Sequence, residues 1–234
     1  MTALFSCPLK NAVACISIAT ALTLVGCSVN QSHRAIESET VQSYNTDYKG
    51  IKTTLVVGNF QNRSSYMQGL FSSGTDKLGN QSKTILKTHL QQTNRFKVVD
   101  RENLEVLKRE AELNGVKQNL TGARYTITGD VTEFGRKVTG DKQLFGILGS
   151  AKTQTAYAKV SINIVDVVNG EIVYSTQAAG EYELSNREVV GFGSTASYDA
   201  TLNGKVLNFA ITEAVNNIVR DLENGTWVVL SNEQ

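Results

Sequence analysis

The sequence predicts an α+β domain built on a mixed or antiparallel sheet with about three helices. Three observations carry that prediction. Short β-branched runs alternate with segments of helical period in the first half of the chain. Two alternating runs precede an Asn169-Gly170 dipeptide in the second half, a returning strand follows it, and a last helical stripe comes after them.

The chain opens with Lys10 and a mostly apolar stretch, Ala12 to Val25, too short for a membrane span and ended by Leu24-Val25-Gly26-Cys27. A basic start, an apolar middle and a small residue before the cut describe a signal peptide over residues 1–26. The cysteine after Leu-Val-Gly resembles the lipobox of bacterial lipoproteins, in which that sulfur takes diacylglycerol and the freed amine a further acyl chain. Cys27 is therefore the expected lipidation site and the start of the mature chain. Each buried CH₂ adds about 0.8 kcal/mol of membrane affinity, so several chains anchor firmly where one is marginal. Ser28 in place of Asp resembles lipoproteins sorted to the outer membrane. Residues 27–49 are polar and without apolar period, which reads as a lipidated tether ahead of a domain over residues 50–234.

Within that domain, Ile51 to Val57 is β-branched and predicts a first strand. A polar loop over residues 62–74 carries Tyr66, Leu70 and Phe71. Leu78, Ile85, Leu86 and Leu90 recur at helical spacing over about residues 75–93, with Asn94 as the stop. Residues 95–99 predict a second strand. Asp100 is placed to cap a helix over residues 101–114, with Leu104, Leu107 and Ala111 as its apolar stripe and Gly115 as its end.

Tyr125, Ile127, Gly129 and Val131 then alternate with polar residues, as do Ala156, Ala158, Val160, Ile162 and Ile164. Asn169-Gly170 is a two-residue hairpin signal that returns the chain into a strand from Ile172. Leu202, Val206, Phe209, Ala210, Val215, Ile218 and Leu222 mark a long helix over about residues 200–223. Asn224-Gly225 ends it, and residues 227–230 read as a short last strand.

Two segments outgrow a compact domain: residues 135–154 and 183–199, both rich in Gly, Ser and Thr. In the second, Val190, Phe192, Ala196 and Tyr198 alternate with small and polar residues, the pattern of a membrane β-hairpin with those four side chains toward lipid. Solvent-exposed hairpins fit the same residues, so the pattern alone leaves both readings open.

Composition excludes several functions. The chain has 23 basic and 22 acidic residues, and Lys10 is the one charge in the signal, so the remainder is balanced and gives no reason to expect nucleic acid. Of the three cysteines only Cys27 survives cleavage, so no disulfide is expected. Residues 146–153 nearly match a phosphate loop, but Ala151 replaces the required glycine and a strand pattern follows Lys152. His33 and His89 lack neighbours at ligand spacing, so no metal is expected. No nucleophile elbow or paired base is present, and the acidic residues between Asp100 and Glu112 suit a solvated helix face. No catalytic residue, enzyme activity or cofactor is expected.

Several stretches together resemble the CsgG/HfaB family, lipoproteins of the curli secretion channel and of holdfast anchoring. They are Val57-Gly-Asn-Phe-Gln61, Asn94-Arg-Phe-Lys-Val-Val-Asp-Arg101, Ile127-Thr-Gly-Asp130, Val160 to Ile172 and Asn224-Gly-Thr-Trp227. The resemblance implies an outer-membrane, lipid-anchored protein with a periplasm-facing α+β domain that forms a homo-oligomeric ring. It further implies that hairpins near residues 135–154 and 183–199 join one shared transmembrane barrel. The loop with Tyr66, Leu70 and Phe71 stands where the family channel narrows. Expected partners are outer-membrane lipid, accessory lipoproteins and a secreted polypeptide. The rival expectation is a lipoprotein without a pore that docks a periplasmic partner, such as a cell-wall synthase or a surface anchor.

Overall fold

The computed structural model describes residues 39–66, 76–142, 150–188 and 202–228. The elements run β1 (Thr53–Asn62), α1 (Lys77–Gln92), β2 (Phe96–Val99), α2 (Leu104–Leu113), β3 (Tyr125–Lys142), β4 (Ser150–Asp166), β5 (Ile172–Glu188) and α3 (Leu202–Glu223). The sheet is mixed, in the order β2-β1-β3-β4-β5, with β1 parallel to both β2 and β3 and the β3–β4–β5 part antiparallel. This is the α+β architecture that the alternating and helical patterns predict.

Side-chain alternation gives the sheet one buried face. Leu55, Ile127, Val160, Ile162 and Ile164 are fully buried, while Thr126, Ser161 and Asn163 on the other face stay half exposed. The helices α1 and α3 cover the apolar face side by side. From α1 come Leu78, Leu86 and Leu90, and from α3 come Val206, Leu207, Ala210, Ile211, Ala214, Val215 and Ile218, all buried. The helix α3 lies so close to β5 that a Cβ on Gly180 would sit 2.7 Å from the Ala210 backbone nitrogen. Only glycine fits that contact.

A bulge changes the phase of β3. Val131 pairs with Val160 and Glu133 with Lys159, leaving Thr132 as the extra residue. Buried positions are odd up to Val131 and the next buried residue is the even-numbered Phe134, so the bulge turns Phe134 back onto the core. Alternation read without the bulge places Phe134 on the wrong face.

Helix ends follow local chemistry. The Asp76 carboxylate accepts the Gly79 N–H at 2.7 Å and caps α1. Beyond α1, Asn94 takes the left-handed conformation with φ 57°, the stop expected there. The helix α2 differs from expectation. It starts at Leu104 with Asn103 as its cap residue, while Asp100 binds the preceding turn through the Glu102 N–H at 2.8 Å. None of its residues is buried, so the expected stripe of Leu104, Leu107 and Ala111 packs no core. Lys83 and Lys87 on α1 hold the α2 approach through Glu102.

Two further expectations are corrected. The β4–β5 reversal is a four-residue loop, not a two-residue turn: the Gly170 N–H reaches the Asp166 carbonyl and the Asp166 N–H the Glu171 carbonyl, both at 2.9 Å. Gly170 supplies the positive φ, 73°. Trp227 is buried beneath the sheet end and donates Nε1–H to the Ile218 carbonyl at 3.3 Å, and neither it nor Val228 is in a strand. Its ring lies 5.6 Å from Tyr174 and 6.1 Å from Tyr125. Burial, then the bond from the Tyr174 hydroxyl to Asp221, pushes that hydroxyl up to about 12.

The structured domain also begins before residue 50. Val41 is 2 % exposed, Ser43 is buried, and the Gln42 N–H donates to Asn216 Oδ1 on α3 at 3.0 Å. The last part of the expected tether therefore lies against the domain.

Candidate functional site

The feature that sets this domain apart is the length of β3, β4 and β5. The last β1 partner of β3 is Val131, yet β3 continues to Lys142, paired throughout with β4 as far as Ser150. The strand β5 follows β4 to the same level, with Ser150 opposite Glu188. The result is a three-stranded arm that extends roughly 35 Å past the end of β1 at the usual rise per residue. Pro is absent from it, so no ladder bond is lost.

The base of the arm is braced by α3 and by the chain leaving β1. Arg136 Nε donates to Asn203 Oδ1 at 2.8 Å, Tyr182 stacks on Phe209 with centroids 6.0 Å apart, and Lys205 lies 4.9 Å from the Tyr182 ring centroid. Tyr66 packs against Phe134 at 4.7 Å, and its hydroxyl accepts from Asn203 Nδ2 at 3.5 Å.

Above that base, register assigns the arm's residues to faces. Lys137, Thr155 and Glu183 share one row and therefore one face, with Thr153 two residues along it, and Gln154 lies on the other. A barrel wall in contact with lipid needs one apolar face.

Of the residues singled out from sequence, only Tyr66 is placed, and it is half buried at the root of the arm. Leu70, Phe71, Val190, Phe192, Ala196, Tyr198 and Cys27 lie outside the described residues, as do the first hairpin's tip and the second hairpin beyond residue 188. The two ends of the loop that holds Leu70 and Phe71 are drawn together. Asn62 donates its backbone N–H to Asp76 Oδ2 at 2.7 Å and its side-chain amide to the Tyr66 carbonyl at 2.9 Å. Arg63 and Asp130 pair beside it at 2.8 Å.

The sites set aside from sequence have structural occupations. His89 is buried between α1 and α3, against Asn208 Oδ1 at 2.8 Å, Thr212 Oγ1 at 3.1 Å and Gln92 Oε1 at 3.1 Å. Lys152 and Thr153 sit within β4, where a phosphate loop would need a helix. Asp166 accepts from the Val168 N–H and pairs with Arg124 at 2.6 Å, and these contacts hold its carboxyl below the ordinary 3.8 against the burial that would raise it. Among the described residues no cluster of His, Cys, Asp or Glu could hold a metal ion, and no helix is long and apolar enough to cross a membrane.

Sequence reasoning missed Arg95. Its side chain is 6 % exposed and binds Glu223 on α3, while Nη1 donates to Thr46 Oγ1 and the Thr93 carbonyl, both at 2.7 Å. The guanidinium also lies 5.1 Å from the Tyr48 ring centroid. It clasps residues 43–48 to the domain at a polar recess lined by Asn216 and Glu213. A lone Arg before an apolar strand gives no sequence signal of such a role.

The sequence model of the curli production assembly/transport component CsgG matches residues 37–233. A protein of Neisseria meningitidis serogroup B, named as a lipoprotein, is 59% identical over 214 residues that cover 92% of this chain and 96% of that one. Among solved structures, the PelC dodecamer from Paraburkholderia phytofirmans is similar at 15% identity, covering 77% of this chain and 93% of that chain with a TM-score of 0.34. A lipoprotein from Neisseria meningitidis is similar at 14% identity, covering 72% and 99% with a TM-score of 0.33.

Proposed function

The chain belongs to the family of the curli production assembly/transport component CsgG, and from that premise we propose an outer-membrane lipoprotein that assembles into a ring and serves the export or assembly of a polypeptide or surface structure. Cys27 carries the acyl chains, and the domain faces the periplasm. The name of the 59% identical relative supports the lipid anchor, and the family description supports assembly or transport. The mechanism is passive. An extended polypeptide passes, or is handed on, through a polar opening without nucleotide hydrolysis, and the protein catalyses no reaction.

The observation that carries this reading is the arm. A lone domain gains nothing from three strands that outrun its core. A ring gains a continuous wall from them. Membrane spanning would then fall to the hairpin segments, including Val190, Phe192, Ala196 and Tyr198. The exposed Lys137 and Glu183, which share one row of the arm, favour a second reading in which the ring docks a partner and spans nothing.

Single-channel recording with detergent-resistant oligomer on gels separates the two. If Phe192 faces lipid, Phe192→Arg costs roughly 2–4 kcal/mol in every subunit and abolishes inserted assembly. Ser197→Arg, on the opposite face, then alters only conductance. Normal assembly of both variants without conductance rejects the barrel and leaves the docking ring.

A further inference from the structure

Two rows of the arm lie under the first turns of α3. Register aligns Phe134, Ala158 and Gly180 across the three strands, and Arg136, Ala156 and Tyr182 two residues further out. Both rows belong to the core face, since Phe134, Ala158 and Ala156 are buried. Where the helix crosses, the residues are small: Ala156 and Ala158 on β4, and Gly180 on β5. A Cβ on Gly180 would lie 2.7 Å from the Ala210 nitrogen, 2.8 Å from Phe209 Cβ and 2.9 Å from the Val206 carbonyl oxygen. Larger side chains stand on either side and grip the helix. On β3, Arg136 Nε donates to Asn203 Oδ1 at 2.8 Å. On β5, the Tyr182 ring stacks on Phe209 at 6.0 Å and holds the Lys205 ammonium 4.9 Å from its centroid. Asn203 uses both ends of its amide, because Nδ2 donates to the Tyr66 hydroxyl at 3.5 Å while Tyr66 packs on Phe134 at 4.7 Å.

We infer that this saddle fixes the tilt of the arm against the domain, and with it the number of copies that close a ring, with Asn203 as the positioning residue. This rests on the ring reading above and adds what sets the ring's size. The helix has no tilt of its own to give, because Val206, Leu207, Ala210, Ile211 and Ala214 are buried in the core. Whatever is held to α3 at the base of the arm is therefore held to the domain. Beyond the saddle the strands run on to Lys142 on β3 and Glu188 on β5, about 20 Å at the usual rise per residue. A change of about 10° at the saddle moves that end by roughly 3 Å, close to the rise of one strand residue. Neighbouring copies take up such a shift by changing the angle between them. A ring closes only when the rotation from copy to copy divides a full turn, and the tilt of strands in a closed wall is linked to its diameter. A fixed arm therefore gives one ring size, and a loosened arm gives several or none.

Four variants separate the grip from general stability. Asn203→Ala removes both amide bonds. Asn203→Asp keeps them, because a carboxylate accepts from Arg136 Nε and from the Tyr66 hydroxyl. Gly180→Ala pushes α3 away from β5. Gly170→Val strains the β4–β5 loop at the other end of the sheet and leaves the saddle untouched. Full-length acylated proteins, extracted in mild detergent, are sized by light scattering and imaged in negative stain, with circular dichroism to establish that each is folded. The wild type, Asn203→Asp and Gly170→Val each give rings of one and the same mass. Asn203→Ala and Gly180→Ala give rings of two or more masses, or open arcs. If Gly180→Ala does not fold, Asn203→Ala decides alone. The single wild-type mass from either of these two variants, when folded, overturns the inference and leaves the ring itself standing. Mixed masses from Asn203→Asp or from Gly170→Val overturn it as well, since ring size then does not follow the Asn203 bonds. A wild type without rings overturns the ring reading and this inference together.

Discussion

Arg95 donates Nε and Nη2 to a single oxygen of Glu223, at 3.0 and 2.6 Å, joining the residue before β2 to the last residue of α3. The third nitrogen, Nη1, holds Thr46, so one side chain ties the start of the domain to its end. Residues 43–48 are thereby fixed against the helix that braces the arm.

Arg95→Ala removes the hydrogen bonds that Nη1 gives to the Ser43 and Thr46 carbonyls and to Thr46 Oγ1, and the one it gives to the Thr93 carbonyl. Glu223 is 42% exposed, so its charge is rehydrated and the cost is moderate, about 1–3 kcal/mol. The expected result is a lower melting temperature with new protease cleavage between residues 41 and 49. An unchanged digestion pattern would show that the segment is held by Val41 and the Asn216 contact alone.

Gly170→Val places a β-branched residue at φ 73° in the β4–β5 loop. Left-handed backbone costs an L-residue roughly 1–2 kcal/mol, equivalent to a fall of about 2–8 °C in melting temperature for a domain of this size. A thermal scan that overlays the wild type would contradict the loop geometry.

The Asp166 carboxyl is held below 3.8 by the Val168 N–H and by Arg124, in spite of its burial. A depressed folded value stabilises the fold fully above 3.8, and that contribution disappears as pH falls through the folded value. Asp166→Asn should therefore lower stability at neutral pH and flatten its loss below pH 3.8 in denaturant titrations. Parallel pH profiles for the two proteins would exclude Asp166 as a contributor.

Much of this architecture was legible in the residues, and the misses share a physical cause. Alternation at Ala156 to Ile164 and the helical stripe from Val206 to Ile218 are strong because burial on one face demands them. The bulge at Thr132 was not legible, since an extra residue leaves no chemical mark before its pairing partner is known. The helix α2 misled because Leu104, Leu107 and Ala111 have helical spacing, yet the sheet is already covered by α1 and α3, and Leu107 is left 41% exposed. The length of the arm showed in the Gly- and Thr-rich composition of residues 135–154, whereas its continuous pairing through three strands emerges only from the register. The Arg95 clasp depends on partners 49 and 128 residues away, a separation that local pattern does not record.

Cys27→Ser removes the sulfur that would carry the acyl chains. The variant should stop incorporating palmitate and leave the outer-membrane fraction. Continued labelling and unchanged fractionation would contradict the anchor.

The account turns on the ring, and imaging tests it most directly. Full-length protein extracted from outer membranes in mild detergent should appear in negative stain as closed rings of uniform diameter, with a mass by light scattering that is a fixed multiple of one subunit. A particle with the mass of a single chain under the same conditions would contradict the account.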